Sequence, residues 1–464
     1  MAGLFESLEE YGKSGRYPFH MPGHKRDPEF VKVADCDITE IEGFDDLHHA
    51  EGILRDCGEY AGKLYNGTET HFLVNGSTGG IQAAVAAAAG PGEYILAARN
   101  SHKALYNAAA VTGVKLEYIY PRIDERYGCA LGITADEAAE VLDICLLTGK
   151  AVKAVYITSP TYEGMVSDVR GIAKECHKRG IPLIVDEAHG AHFGFDERLP
   201  ESSAGIADIV IHSVHKTLPS LTQTALIHLS GDIIDRDRVR YMLTVFQSSS
   251  PSYILMASID RCMEMMADRA FVKQHYDRLF ANIERLKRAI SGGSLKLLDT
   301  DDPTRLLIGA ENGSMAGPEI YRELENSFNI EPEMYTPFYT VLISTLCDTD
   351  EGFDLLIGAC TELGKRSYPE CGKAPVQLSE RMKLFDAGTA LRMGKSIIPA
   401  DKAEGSISGG YIYVYPPGIP MIVPGEVIDK KVTDEIKMLL DQGFEVRGLS
   451  GDGIPVVRTE RDRG

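Results

Sequence analysis

Ile209-Val-Ile-His-Ser-Val-His-Lys-Thr-Leu-Pro-Ser-Leu-Thr-Gln-Thr-Ala-Leu-Ile-His-Leu229 decides the reading of this chain. An apolar strand runs out into a Ser/His-rich turn, the turn presents one lysine, Lys216, and a second apolar strand follows. Upstream, Ile181-Pro-Leu-Ile-Val-Asp-Glu-Ala-His189 is another apolar strand, ending in Asp186. Working outward, the stretches His71-Phe-Leu-Val74, Tyr94-Ile-Leu-Ala97, Leu116-Glu-Tyr-Ile-Tyr120 and Ala154-Val-Tyr-Ile157 also read as strands, and most of the segments between them read as helices. Several strands lack polar/apolar alternation, which fits a parallel sheet covered on both faces. Ligands of such sheets bind at the carboxyl ends of the strands.

Around this core the spacing predicts three regions. Residues 1–50 carry a short helix and an extended Pro/Gly/His-rich arm, Tyr17-Pro-Phe-His-Met-Pro-Gly-His-Lys25, of a kind that packs on a partner subunit or an active-site rim. Residues 51–290 form the large α/β domain, closing with a long charged helix over 266–290. Residues 291–464 form a smaller α+β domain. The chain has 464 residues, 44% hydrophobic and 25% charged, as in ordinary globular proteins. With 48 Lys and Arg against 68 Asp and Glu the net charge is −20, which argues against nucleic-acid binding and against docking on an anionic membrane. The nine cysteines are scattered without a Cys-x-x-Cys pair and read as reduced thiols. The N-terminus lacks a basic-then-apolar leader, and the Ala83–Ala89 run is too short to span a bilayer, so a cytoplasmic protein is expected.

Four short motifs carry chemistry. In Asn75-Gly-Ser-Thr-Gly-Gly80, between a strand and a helix, Ser77, Thr78 and Gly79 can cradle a phosphate at the helix N-terminus; alone, the motif reads as a plain capped turn. In Ser101-His-Lys103, His102 can stack on a planar ring; alone, it is an ordinary loop histidine. In Val185-Asp-Glu-Ala-His-Gly190, a buried Asp186 needs a cationic partner to stay ionised, and Ala188 is small enough to lie against a ring face. A metal site built from Asp186, Glu187, His189 and His192 is disfavoured, because adjacent residues leaving a strand cannot all point inward. In Ser213-Val-His-Lys216, Ser213 and His215 alternate before the lysine and can face one phosphate together. A surface turn is the ordinary fate of such a lysine. Taken jointly, a phosphate loop, a stacking histidine, an acid for a pyridine nitrogen and a lysine for an aldehyde describe a site for pyridoxal 5'-phosphate.

With these residues the chain resembles the ornithine/lysine/arginine decarboxylase family of fold-type-I pyridoxal-phosphate enzymes. The resemblance is carried by His20-Met-Pro-Gly-His-Lys25, Phe44-Asp-Asp-Leu-His48, Phe72-Leu-Val-Asn-Gly-Ser-Thr-Gly79, Ser159-Pro-Thr-Tyr-Glu-Gly164, Val185-Asp-Glu-Ala-His-Gly190, Ser213-Val-His-Lys-Thr-Leu218, Tyr415-Pro-Pro-Gly-Ile-Pro420 and Pro424-Gly-Glu426. It implies a mostly parallel sheet sandwiched by helices, with a smaller C-terminal domain. It implies α-decarboxylation of a basic L-amino acid to a polyamine or its precursor. Lys216 would tether the cofactor, Asp186 would pair with its ring nitrogen and His102 would stack on the ring. Ser77, Thr78, Gly79, Ser213 and His215 would bind its phosphate, and Lys216 or His215 would return a proton to Cα. Glu426 is a candidate for reading the substrate's distal cation. In such homodimers the site lies at the interface, so Gln247-Ser-Ser-Ser-Pro251 is placed to reach the neighbour's phosphate or to form a plain loop. The long N-terminal extension of the largest members is lacking, which favours a dimer or tetramer. Glu163 stands where an aromatic is expected in many relatives. Transamination or elimination on the same cofactor, and a non-catalytic protein of the same fold, are the alternatives; keto-acid formation without CO2, or absence of a bound-cofactor absorbance, marks them.

Overall fold

The computed structural model describes residues 17–19, 38, 40, 44–369, 380–416 and 418–458. The motif His20–Lys25, most of the N-terminal arm and Pro417 lie outside them. A seven-stranded sheet is built from β1 (Glu69–Leu73), β2 (Tyr94–Ala98), β3 (Lys115–Ile119), β4 (Val152–Thr158), β5 (Leu183–Asp186), β6 (Ile209–His212) and β7 (Ala225–Leu229), in the order β1-β7-β6-β5-β4-β2-β3. Only β7 runs against its neighbours. Every residue of β5, β6 and β7 is buried, which is why their sequences read as unbroken apolar runs. One face packs on α1 (Gly76–Ala88), whose alanines and Ile81 let it lie close, and on α2 (Lys103–Thr112).

Lys216 departs from the expected irregular turn. It sits in a single helical turn, α3 (Val214–Thr217), directly after β6. The expected long charged helix is α4 (Arg269–Ile290), started by the Asp268 side chain, which accepts from the amides of Ala270 and Phe271. Its Val272, Tyr276, Leu279, Ile283, Leu286 and Ile290 recur at helical spacing and are buried. Each such side chain contributes roughly 1.5–3 kcal/mol by leaving water.

Beyond α4 an antiparallel sheet is formed by β8 (Leu295–Leu297), β9 (Arg305–Ala310), β10 (Met334–Tyr335) and β11 (Tyr339–Ile343), in the order β10-β11-β9-β8. Its apolar residues share a core with α4. Tyr17–Phe19, the described part of the N-terminal arm, adds a short parallel strand to Ile330–Pro332, and Phe19 packs edge-on against Phe353 at 5.9 Å. The region after 291 holds a second cluster as well. Ile412, Ile422, Ile428, Val432, Ile436, Leu439 and Ile454 form a core of their own around the helix Lys430–Asp441. Among the described residues no helix is long and apolar enough to cross a membrane.

Candidate active site

The carboxyl ends of β1, β2, β5 and β6 converge on one cavity of about 1370 Å³, open to solvent. Ser77, Thr78, His102, Asp186, Ala188, Ser213, His215 and Lys216 all line it. These residues come from four separate segments, brought together at one edge of the sheet, where β5 and β6 are direct neighbours.

Asp186 ends β5. Its Oδ1 accepts from the Ala188 amide and its Oδ2 from the Tyr156 hydroxyl, each at 3.1 Å. Burial raises the carboxyl's pKa, and the Lys216 charge pulls it back in part. A cation held against it would restore the carboxylate. Burial moves the Lys216 amine the other way, down to about 8, with Asp186 and Glu333 opposing that fall. His215 donates from Nδ1 to the Thr224 carbonyl at 2.8 Å if that nitrogen carries its proton, as a carbonyl acceptor requires.

His102 caps α2, with Nδ1 accepting from the Ala104 amide at 3.2 Å. Its proton therefore sits on Nε2. Burial, reinforced by Lys216 and Lys103, pushes its pKa down to about 4, so the ring presented to the cavity is neutral. Unfolded histidine protonates near pH 6.5, so folding is penalised as pH falls from there towards 4. His102→Phe removes the penalty. Relative to wild type, its stability is expected to improve by up to about 1.4 kcal/mol per pH unit across that window. Urea midpoints measured from pH 4 to 7 check this; parallel curves for the two proteins would contradict it.

The phosphate end is also prepared. The N-cap residue of α1, Asn75, makes no side-chain cap, so the amides of Ser77 and Thr78 are not closed off, while that of Gly76 donates to the Gln223 carbonyl at 3.0 Å. The buried Ser213 Oγ has no hydrogen-bond partner among the described residues and faces the same space. Gly79 lies one position deeper and does not line the cavity; its amide bonds to the Asn75 carbonyl at 3.3 Å. Gln247 is buried, with Oε1 accepting from the Val74 amide at 2.9 Å, while Ser248, Ser249 and Ser250 are exposed. An orphaned hydroxyl, open helix amides, a buried acid and a depressed lysine together fit pyridoxal phosphate.

Glu426 requires a correction. It does not line the cavity but is buried beneath it, with Oε2 accepting from Arg99 Nη2 at 3.1 Å and from the Val423 amide at 2.9 Å. Arg99, also buried, donates to the carbonyls of Pro420 at 2.7 Å and Met421 at 3.3 Å. A carboxylate paired through Oε2 with a buried guanidinium fastens the C-terminal region to the end of β2, away from the cavity wall, with Oε1 left buried and without a partner among the described residues. The Tyr415–Ile419 segment rests on the same end: the Gly418 carbonyl accepts from the Lys103 amide at 3.2 Å. Gly418 has φ +78, and a β-carbon there would meet the His102 ring at 3.4 Å.

The side chains once weighed as metal ligands diverge. Asp186 faces the cavity, Glu187 bonds His212 at 2.9 Å, and His192 meets Asp302 at 3.2 Å. His189 approaches Lys216, with Nε2 2.8 Å from Nζ. Sequence reasoning missed His189, Tyr156, Tyr162, Glu333 and Tyr415; the signal for His189 was its place just past β5, beside the end of β6. A second cavity of about 870 Å³ shares Asn100, Pro416 and Ile419 with the first. It carries two carboxyls. Glu163 has its pKa raised by burial and accepts from the Tyr339 hydroxyl at 3.2 Å. Glu435 is pushed by burial up to about 8.

Comparison with known proteins accords with this geometry. Residues 2–304 match the family described as Orn/Lys/Arg decarboxylase, major domain, and residues 377–451 match its C-terminal domain. The chain is 31% identical to the arginine decarboxylase of Bacillus subtilis (strain 168), over 99% of this chain and 98% of that protein. The lysine decarboxylase LdcF of Francisella novicida superposes with a TM-score of 0.74 at 18% identity, covering 89% of this chain and 73% of the other. Lysine decarboxylase A from Pseudomonas aeruginosa gives 0.73 at 18% identity, over 98% and 80%. The fold is therefore the helix-sandwiched, mostly parallel one expected of fold-type-I enzymes. By its motifs, fold and family match, the chain belongs to the Orn/Lys/Arg decarboxylase family and is a pyridoxal-phosphate-dependent decarboxylase.

Proposed function

We propose that this enzyme decarboxylates a basic L-amino acid at Cα, releasing CO2 and the corresponding amine, with arginine, lysine and ornithine as the candidates. The observation that carries the reading is Lys216 and Asp186 facing one cavity that adjoins a second, acid-bearing cavity. Bound pyridoxal phosphate supplies an electron sink for the pair left behind by the departing carboxylate. The chain's own residues do the rest. Lys216 tethers the cofactor and Asp186 holds its ring nitrogen cationic. His102 covers the ring face, and Ser77, Thr78, Ser213 and His215 hold the phosphate. Lys216 and His215 are the two groups placed to return a proton to Cα. Residues that orient the substrate so that its carboxylate bond is the one broken would select decarboxylation over the other reactions of this cofactor.

Glu163 and Glu435 support a basic substrate. Glu435 is buried and Glu163 half-buried, and a cationic side-chain terminus would ionise and satisfy both carboxyls. The net charge of −20 favours approach of a cation as well. We further place the active site at the interface of a cytoplasmic homodimer, with the exposed Ser248–Ser250 run reaching the neighbouring phosphate, and its product in polyamine synthesis.

The test is a CO2-release assay on arginine, lysine and ornithine with amine and keto-acid products quantified. One basic amino acid is expected to give CO2 and amine in equal amounts. Glu435→Gln is expected to raise its KM about tenfold or more, the weight of a lost hydrogen bond to a charge. Keto acid formed without CO2 would overturn the reading, and an unchanged KM would remove Glu435 from it.

A further inference from the structure

His189 stands between two cations that the sequence separates widely. Its Nε2 lies 2.8 Å from Lys216 Nζ and its Nδ1 lies 3.0 Å from Arg305 Nη2. Arg305 opens β9, is fully buried, and also reaches the His189 carbonyl at 3.3 Å. The Tyr162 ring, 4.7 Å away, packs against the imidazole from the side.

The donor inventory of these groups leaves one consistent arrangement. Arginine only donates, so Nδ1 must accept with its lone pair. Burial opposes a positive imidazole most strongly, and the Arg305 charge adds to it, so His189 is neutral whatever the state of Lys216. A neutral ring with an accepting Nδ1 carries its proton on Nε2. That N–H points at Lys216 Nζ, and an ammonium has no lone pair to receive it. Only the free amine does. The opposite arrangement, an ammonium donating to Nε2, would put the ring's proton on Nδ1 and set it against an Arg305 N–H at 3.0 Å.

We propose that His189, its tautomer set by Arg305, is a positioning residue that holds Lys216 as the neutral amine able to capture the cofactor's aldehyde. This rests on Lys216 being the attachment point in the function proposed above. The other charged and titratable groups facing Lys216 divide between the two forms. Asp186 and Glu333 favour its ammonium, Arg305 opposes it, and His102, kept neutral chiefly by its burial, adds no charge. Burial brings the lysine to about 8, and the His189 hydrogen bond acts in the same sense. The end of β5 and the turn after it thus deliver both the acid for one end of the cofactor and the histidine for the lysine at the other.

The test uses cofactor-free full-length protein. The pH midpoint of Lys216 acylation is read by pulse labelling with acetic anhydride and peptide mass spectrometry, and the rate of pyridoxal phosphate capture by absorbance. His189→Leu keeps the site dry but removes the N–H donor. Its midpoint is expected to rise by about one pH unit, and capture at pH 7 to slow about tenfold. His189→Gln, which can accept from Arg305 and donate to Lys216, is expected to stay close to wild type. A midpoint that is unchanged or lower in His189→Leu would overturn the proposal, because burial alone predicts that result. Nitrogen-15 spectra of histidine-labelled wild type, with the His189 signals assigned by their loss in His189→Gln, give a check that needs no stable leucine variant. They are expected to show protonated Nε2 and bare Nδ1, and the reverse tautomer would also overturn it. Neither readout requires turnover, so failure to decarboxylate a basic amino acid leaves this result separately readable.

Discussion

Lys216→Ala is expected to lose at least about a thousandfold in CO2 release, the upper part of the range for removing a positioned proton-transfer group with covalent capture lost besides. The residue lies in the cavity wall with its amine depressed to about 8, and among the described residues no other lysine lines that cavity. The variant should remain folded, because Lys216 forms no part of a hydrophobic cluster and α3 is bounded by the buried Val214 and Leu218. Asp186, His102 and Ser213 remain, so pyridoxal phosphate should still bind reversibly, without the absorbance of the tethered form. Added methylamine should restore a small part of the rate if only the missing amine limits the reaction. Full activity in Lys216→Ala would refute the assigned role outright.

The second large effect is structural. Arg99→Met should cost about 3–5 kcal/mol, because it leaves the Glu426 carboxylate buried without its counter-charge. Arg99 and Glu426 are both almost wholly inaccessible, and Arg99 also holds the carbonyls of Pro420 and Met421. Urea denaturation should show the loss, and the double variant Arg99→Met/Glu426→Gln should recover much of it by removing the stranded charge. If Glu426 instead read a substrate, Glu426→Gln would raise KM while leaving stability nearly untouched.

Much of this was legible in the sequence, for definite reasons. The inner strands β5, β6 and β7 announce themselves because a sheet covered on both faces has no polar side to break their apolar runs. Lys216 and Asp186 stand out because each ends such a run. The helical turn that carries Lys216 was not legible, since four residues are too few to show a period. His189 sat in plain view three positions after Asp186, yet its ring reaches Lys216 only because β5 and β6 are neighbours and the turns beyond them meet. Arg305 is 116 residues from His189, and no local pattern announces that contact. Glu426 misled for a related reason. A lone carboxylate between Val423 and Val427 looks the same whether it greets a substrate or a buried arginine, and the deciding residue lies 327 positions away.

That long separation sets an order of events at the ribosome. With translation at roughly 5–20 residues per second, about 15–65 s pass between synthesis of Arg99 and synthesis of Glu426. Throughout that interval the nascent large domain can assemble its strands, but its guanidinium stays hydrated and the Tyr415–Ile419 rim is missing. Fastening of the C-terminal region thus belongs to the finished polypeptide, and so distant a closure is intrinsically slow.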